Sequence, residues 1–235
     1  MDEHRERTGF FDAHWRAIIG TRTPAIAAHR EAERALAERL IDAGDYRTVI
    51  EGGCADGSLL LEPVVSRGLG YLGVDLAGEA AALAAVRIAI ASAGLPDGAV
   101  RMAVDDDIRE ADQVVARYRI PTDGLLLALP FNVLGNIPSP SQVFVAAARC
   151  PADVLVLTFD TTPEADQVRV DYYAACGFTG RLDRDDLGVH FAAGLFTSSV
   201  YHPAVVERWL VAAGYGVHVE RYGTAGIAYW GRQPA

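Results

Sequence analysis

Short apolar stretches that alternate with helical stretches restrict the fold of this chain more than any other feature of its sequence. Residues 47–51 (RTVIE), 70–75 (GYLGVD), 99–104 (AVRMAV), 124–130 (GLLLALP) and 153–160 (DVLVLTFD) are almost continuously apolar. Strands of this kind are buried on both faces of a sheet. With helices between them, they predict an α/β fold in which helices cover a parallel sheet.

The C-terminal part of the sequence departs from this alternation. Residues 203–214 predict one more helix, and residues 215–223 and 225–231 predict two strands joined by a turn at Gly223–Thr224. A turn this short joins antiparallel neighbours. We therefore expect a Rossmann-like, doubly wound sheet of seven strands, mostly parallel, that ends in an antiparallel hairpin.

Two further segments flank the predicted sheet. Residues 23–44 predict a helix with Thr23 as its cap, Pro24 in its first turn and Gly44 at its end. Residues 1–22 mix charged and aromatic side chains, which suits either an amphipathic helix packed on the domain or a lid over a site. We predict one domain over residues 1–235, divided into N-terminal helices with a lid (1–44), a sheet core (45–160), an insertion of weaker periodicity (161–202), and the last helix and hairpin (203–235).

Acidic or polar residues follow four successive predicted strands. These positions are Glu51, Asp75, the pair Asp105 and Asp106, and the segment from Leu129 to Asn136. In open α/β sheets, ligands bind outside the carboxyl ends of the strands, where the strand order reverses. We expect these acids to converge there on one elongated ligand.

A glycine-rich loop follows the first of these strands. Glycine lets a backbone turn sharply and approach a ligand closely, and the next helix points free N–H groups at the same place. The dinucleotide pattern G-x-G-x-x-G, counted from Gly53, requires glycine where the chain has Ala55 and Ser58. Glu51 and Asp56 would also repel a pyrophosphate, whereas they would attract a cationic ligand.

The loop sequence Glu51-Gly52-Gly53-Cys54-Ala55-Asp56-Gly57 resembles the glycine-rich motif E/D-x-G-x-G-x-G of class I S-adenosylmethionine-dependent methyltransferases, with alanine in place of the central glycine. The resemblance covers about residues 45–160 and 203–231. It implies that Asp75 holds the ribose hydroxyls and that Asp106, or else Asp105, meets the adenine amino group. The S-adenosylmethionine-binding residues that it implies are Glu51, Gly52, Gly53, Cys54, Ala55, Gly57, Asp75, Leu76, Asp105, Asp106, Asp107, Leu129 and Pro130.

Several of these residues have structural interpretations as well. Asp75 could cap the following helix, residues 105–107 could form a solvated turn, and Glu51 could only brace the loop. In the same family, the loop after the fourth strand faces the methyl group and the substrate. We predict substrate contacts from three regions of the chain, at Phe10, His14, Trp15, Phe131, Asn132, Asn136, Tyr172 and Phe196.

Histidine is the usual general base near neutral pH, and His190 lies in the insertion, where this family often places substrate contacts. We name His190, Asn132 and Tyr201 as candidate catalytic residues, although a single histidine is more often structural. A base is needed only when the methyl acceptor arrives protonated. The acceptor atom, whether N, O or C, is not encoded in a recognisable motif.

The composition limits the classes of partner that the protein is expected to bind. The net charge of -10 and the lack of a basic run argue against nucleic acid. No apolar run is long enough to span a membrane, and the three scattered cysteines favour a reduced cytoplasmic setting without a metal site. We expect a small-molecule substrate from specialised metabolism, and a homodimer is possible. The alternatives are an NAD(P)-dependent oxidoreductase and a non-catalytic partner subunit that binds S-adenosylmethionine.

Overall fold

A seven-stranded sheet forms the centre of the fold. A computed structural model describes residues 14–93 and 99–234. The strands of the sheet lie in the order β3-β2-β1-β4-β5-β10-β9. They are β1 (Thr48–Gly52), β2 (Gly70–Asp75), β3 (Arg101–Asp105), β4 (Leu125–Leu129), β5 (Asp153–Phe159), β9 (Gly216–Tyr222) and β10 (Gly226–Arg232).

The register of the sheet confirms the predicted mixture of parallel and antiparallel pairs. Strands β1 to β5 pair in parallel, while β10 is antiparallel to both of its neighbours, β5 and β9. The order reverses between β1 and β4, because β2 and β3 lie on one side of β1 and β4 and β5 on the other. A crevice at the carboxyl ends of the strands is expected at this reversal.

Helices cover both faces of the sheet and bury two hydrophobic cores. One core packs α4 (Ala111–Tyr118), α5 (Ser141–Arg149) and α7 (Pro203–Ala212) on the sheet, through Val114, Phe144 and Leu210 among others. The other core packs α1 (Pro24–Ala43), α2 (Leu61–Val65) and α3 (Gly78–Ala91) on the opposite face. This double cover explains why the strands read as continuous apolar runs.

Helix α1 begins and ends where the sequence predicts. The Thr23 hydroxyl accepts a hydrogen bond from the Ile26 N–H, Pro24 occupies the first turn, and Gly44 caps the end. The sequence of residues 58–68, which ends at Gly68, predicts a longer helix than the structure has, since α2 covers only Leu61–Val65. Pro63 has no N–H and is tolerated only in the first turn, so the helix begins close to that residue. The alanine-rich sequence of residues 78–94 predicts that α3 ends at Gly94, which lies outside the described residues.

The segment 161–202 folds into a helix and a second sheet. The sequence analysis predicts neither of them. Helix α6 (Pro163–Ala175) is followed by an antiparallel sheet of β6 (Arg181–Arg184), β7 (Gly188–Ala193) and β8 (Phe196–Tyr201). Two signals were available: Thr162 caps α6 directly before Pro163, and Gly194 at φ +61° turns the chain between β7 and β8. Tyr172 and Tyr173 of α6 pack with Phe191 and Phe196 in a third core.

Residues 14–20 are helical and lie near this third core. Ile18 packs against it, and the Tyr172 hydroxyl donates a hydrogen bond to the Ile18 carbonyl. Within residues 14–93 and 99–234, no helix has both the length and the apolar character needed to cross a bilayer.

Candidate functional site

A cavity lies at the carboxyl ends of the central strands, where the strand order reverses. Its volume of about 150 Å³ is roughly ten times the space that one water molecule occupies. The wall is built by the loops after four strands and by the helical residues 14–20. The lining residues are Trp15, Ile18, Ile19, Gly53, Ala55, Leu59, Val74, Asp75, Leu76, Ala77, Asp106, Asp107, Ile108, Arg109, Phe131, Val133, Asn136, Ile137 and Pro138.

The glycine loop approaches the cavity in a conformation that suits glycine. Gly53 has φ +64°, and a Cβ atom there would lie 2.5 Å from Cγ2 of Val133. A Cβ atom on Gly52 would lie 2.7 Å from side-chain atoms of both Ile108 and Leu129. Ala55 occupies the left-handed region at φ +45°, where a side chain costs roughly 1–2 kcal/mol. Because Gly52 and Gly53 lack side chains, the loop can pack directly against Ile108, Leu129 and Val133 beside the cavity.

Asp75 stands at the end of β2 with both carboxylate oxygens anchored. Oδ2 accepts a hydrogen bond from the Ala55 N–H at 2.7 Å, and Oδ1 accepts one from the Ala77 N–H at 2.8 Å. Burial raises the pKa of Asp75, and the hydrogen bond from Ala77 opposes that rise. A backbone hydrogen bond from Leu76 also opposes that rise. The carboxylate is thus fixed in direction at the cavity wall, where it can accept a further hydrogen bond from a ligand.

Two aspartates after β3 also line the cavity, and both are paired with arginine. Asp106 forms an ion pair with Arg117 and accepts a hydrogen bond from the Asp107 N–H. Asp107 accepts from the Arg109 N–H at 2.9 Å, and it pairs with the Arg109 guanidinium through Nη2 at 2.5 Å. Asp105 is exposed at the end of β3 and does not line the cavity. The residues after β3 therefore offer carboxylates whose charge is already largely balanced.

Glu51 and Cys54 lie behind the cavity wall. Glu51 is fully buried and accepts a hydrogen bond from the Tyr71 hydroxyl at 2.6 Å. Burial raises its pKa to about 8, although the hydrogen bond from Tyr71 lowers it. Burial also raises the pKa of the Cys54 thiol, so Cys54 is a neutral side chain in the core. Of the other residues predicted to bind the cofactor, Gly52, Gly57, Leu129 and Pro130 do not line the cavity either.

The residues predicted to contact substrate divide between the cavity and its surroundings. Trp15, Phe131 and Asn136 line it. His14 lies against Phe178 with ring centroids 5.6 Å apart, and Phe10 is outside the described residues. Tyr172 and Phe196 are buried in the third core, behind Phe131.

Asn132 is buried, and both ends of its amide are bonded to protein. Oδ1 accepts a hydrogen bond from the Thr158 hydroxyl of β5 at 2.5 Å, and Nδ2 donates one to the Ser198 hydroxyl of β8 at 3.0 Å. Tyr173 lies 2.8 Å from the same serine oxygen. Asn132 thereby joins the large sheet to the small one.

His190 and Tyr201, the other candidate catalytic residues, lie on the small sheet and outside the cavity lining. The His190 ring lies between Asp185 and Ser199, with nitrogen–oxygen distances of 2.9 Å on each side. Tyr201 packs against Trp209 with ring centroids 4.8 Å apart. Within the described residues, no three His, Cys, Asp or Glu side chains form a group that could hold a metal ion.

Sequence reasoning missed several functional candidates. Ile18, Ile19, Leu59 and Val133 line the cavity but carry no chemical signal in the sequence. Arg109 could have been noticed, because an arginine two residues after a row of three aspartates is positioned to neutralise one of them. The sequence also gives no sign that Glu33 of α1 is buried, with 3% exposure, near the cavity wall.

The buried acids should make the protein less stable as the pH rises. Burial raises the pKa of both Glu33 and Glu51 from 4.5 to about 8, so the folded state holds these two protons more tightly than the unfolded chain does. The stabilisation is complete below pH 4.5 and is lost as the pH rises through 8. Between pH 6 and pH 9 the free energy of unfolding should fall by roughly 3 kcal/mol for each acid.

Urea denaturation at a series of pH values would measure this loss. The double variant Glu33→Gln and Glu51→Gln should show a much flatter profile over the same range. A wild-type profile that is already flat between pH 6 and pH 9 would contradict the assignment of two protonated buried acids.

Comparisons with known proteins give similarity at the level of the fold. No protein-family model and no curated protein sequence matches the chain. Among solved structures, magnesium protoporphyrin IX methyltransferase (ChlM) from Synechocystis PCC 6803 with bound SAH superposes with a TM-score of 0.65 at 15% identity, over 99% of this chain and 100% of that one.

Two further structures extend the similarity. A SAM-dependent methyltransferase from Aquifex aeolicus has a TM-score of 0.57 at 14% identity, over 91% of this chain and 95% of that one. The glycopeptide N-methyltransferase MtfA complexed with SAM has a TM-score of 0.56 at 15% identity, over 88% of this chain and 94% of that one. These similarities confirm the fold class predicted from the sequence.

Proposed function

We propose that this chain, which has the fold of class I S-adenosylmethionine-dependent methyltransferases, transfers a methyl group from S-adenosylmethionine to a small molecule. One observation carries the proposal: the cavity at the reversal of the strand order is bounded by the glycine loop and by carboxylates from two neighbouring strand ends. The chain acts in this proposal as one catalytic domain. The three free cysteines support a reducing, cytoplasmic setting.

The residues around the cavity fit the cofactor chemically. Asp75 presents a carboxylate anchored by backbone N–H groups at the cavity wall and so suits the ribose hydroxyls. Asp106 suits the adenine amino group, and Gly53 lets the backbone come close to the cavity wall where a Cβ atom would clash with Val133. When bound, S-adenosylmethionine would supply a methyl group on a positively charged sulfur, with S-adenosylhomocysteine as the leaving group when an acceptor attacks the methyl carbon in line.

The protein's own contribution to the reaction is placement and the exclusion of water. Trp15, Ile19, Phe131 and Ile137 give the cavity an apolar wall. Such a wall holds a nucleophile in line with the methyl group, and alignment of this kind supplies about 7–11 kcal/mol in model reactions. The aromatic rings of Trp15 and Phe131 also favour a flat acceptor or a positively charged group. The small size of the cavity supports a small metabolite as the acceptor, as in biosynthetic methylation.

A thermal-shift panel with S-adenosylhomocysteine, NAD and NADP tests the proposal. A ligand at a hundred times its Kd stabilises the folded state by about 2.7 kcal/mol. In a protein of this size, that corresponds to a rise in Tm of roughly 5–10 °C for S-adenosylhomocysteine. A rise with NAD or NADP alone would overturn the proposal in favour of an oxidoreductase.

A second measurement separates an enzyme from a binding subunit. Labelled S-adenosylmethionine should transfer its methyl group to a compound in a metabolite extract. Binding without transfer to any acceptor would favour the non-catalytic partner subunit.

A further inference from the structure

The loop after β4 has an unusual backbone conformation next to the cavity. Phe131 has φ +48° and Asn132 has φ +60°, so two successive residues with side chains occupy the left-handed region. Each such residue is disfavoured and persists only when its surroundings hold it in place. Phe131 forms part of the cavity wall and Val133 lies opposite Gly53. The shape of the cavity therefore depends on whatever fixes this turn.

Glu33 of α1 fixes the first residue of the turn. Its Oε1 accepts a hydrogen bond from the Phe131 N–H at 2.5 Å, and its side chain is 3% exposed. Its Oε2 has no hydrogen-bond partner within the described residues, and His29 Nε2 lies 3.6 Å away. A buried carboxyl group that serves a single backbone N–H is costly, because burying a polar group without full hydrogen bonding opposes folding.

The same face of α1 also holds residues 18–19 of the cavity wall. Arg30 donates hydrogen bonds to the carbonyl oxygens of Ile19 at 2.8 Å and Ile18 at 3.2 Å. Its guanidinium carbon lies 4.1 Å from the centre of the Phe131 ring. Two residues three apart on α1 thus hold residues 18–19 and the Phe131 turn, which both line the cavity.

From this arrangement we infer that Glu33 is a positioning residue for the cofactor site, acting through the Phe131 N–H although its own carboxyl group does not line the cavity. The inference rests on the proposed function. Burial raises the pKa of Glu33 to about 8 and lowers that of His29 to about 4, so both are mainly uncharged near neutral pH. A neutral amide can therefore replace the carboxyl group, because it offers the same oxygen to Phe131.

Two neutral variants of similar size separate this role from simple packing. Glu33→Gln keeps an oxygen acceptor for the Phe131 N–H, whereas Glu33→Met fills the same space without one. By isothermal titration calorimetry at pH 7, Glu33→Met should bind S-adenosylhomocysteine at least tenfold more weakly than wild type. Glu33→Gln should bind within threefold of wild type. Glu31→Gln, an exposed position on the same helix, serves as the matched control and should change nothing.

Amide hydrogen exchange in the free protein supplies an independent readout. The Phe131 N–H should exchange at least tenfold faster in Glu33→Met than in wild type or in Glu33→Gln. Wild-type affinity together with wild-type exchange in Glu33→Met would overturn the inference, as would equal weakening of binding by the two variants. A wild-type protein that fails to bind S-adenosylhomocysteine would instead remove the proposed function. Should Glu33→Met not fold, the same comparison can be made with Glu33→Asp. The aspartate side chain is one methylene group shorter, so its carboxyl oxygens do not reach the Phe131 N–H.

Discussion

Asp75→Ala should weaken the binding of S-adenosylhomocysteine by at least a hundredfold. The proposed ribose contacts are two hydrogen bonds to a carboxylate, and bonds to charged groups contribute about 1.5–3 kcal/mol each. The variant also leaves the Ala55 and Ala77 N–H groups without their acceptor, which loosens the glycine loop. Isothermal titration calorimetry would measure the change, with circular dichroism to show that the variant is folded.

Asp105→Ala is the matched control for this prediction. Asp105 pairs with Asp75 in the register of β2 and β3, yet it is exposed and does not line the cavity. Its removal should change the affinity by less than threefold. Equal losses in the two variants would mean that the charge at this edge of the sheet matters, and not the particular contacts of Asp75.

Gly53→Ala should damage both stability and cofactor binding. An alanine at φ +64° is disfavoured by roughly 1–2 kcal/mol, and its Cβ atom would lie 2.5 Å from Val133. Overpacking of this kind costs about 1–3 kcal/mol more. Val133 lines the cavity, so its displacement changes the shape of the site and S-adenosylhomocysteine affinity should fall at least tenfold.

Gly68→Ala separates backbone strain from the steric clash. Gly68 has φ +73°, but nothing lies within 4 Å of the position that its Cβ atom would take. This variant should lose the roughly 1–2 kcal/mol of strain and bind S-adenosylhomocysteine like wild type. Gly53→Ala could instead lose no more stability in urea denaturation, and no more affinity in calorimetry, than Gly68→Ala. In that case Gly53 does not pack closely against Val133.

The order of the elements and the place of the site followed from the sequence because both depend on local signals. Continuous apolar runs identified the strands, and the Thr23, Pro24 and Gly44 positions gave the bounds of α1. The acid that ends β2 and the glycines that follow β1 needed only the rule that ligands bind at the carboxyl ends of parallel strands. Each of these features is determined by a few residues that are neighbours in the sequence.

Other features depend on contacts between distant parts of the chain and could not be predicted. In the helical sequence of α1, Glu33 looks the same as Glu31, and only packing against Phe131 distinguishes them. The small sheet was missed because its strands mix polar and apolar residues, as expected when only one face is buried. Asn132 could be identified as a loop residue, but its bonds to Thr158 and Ser198 join segments that are far apart in sequence.

The position of β10 between β5 and β9 has a consequence for how the chain folds during synthesis. β10 follows every other strand of the large sheet in sequence, and β9 is attached to that sheet only through β10. Until residues 226–232 have left the ribosome, the outer edge of β5 has no partner and β9 has no place in the sheet. Vectorial synthesis can therefore assemble the first five strands early, but it leaves an open, aggregation-prone edge until β10 has been made.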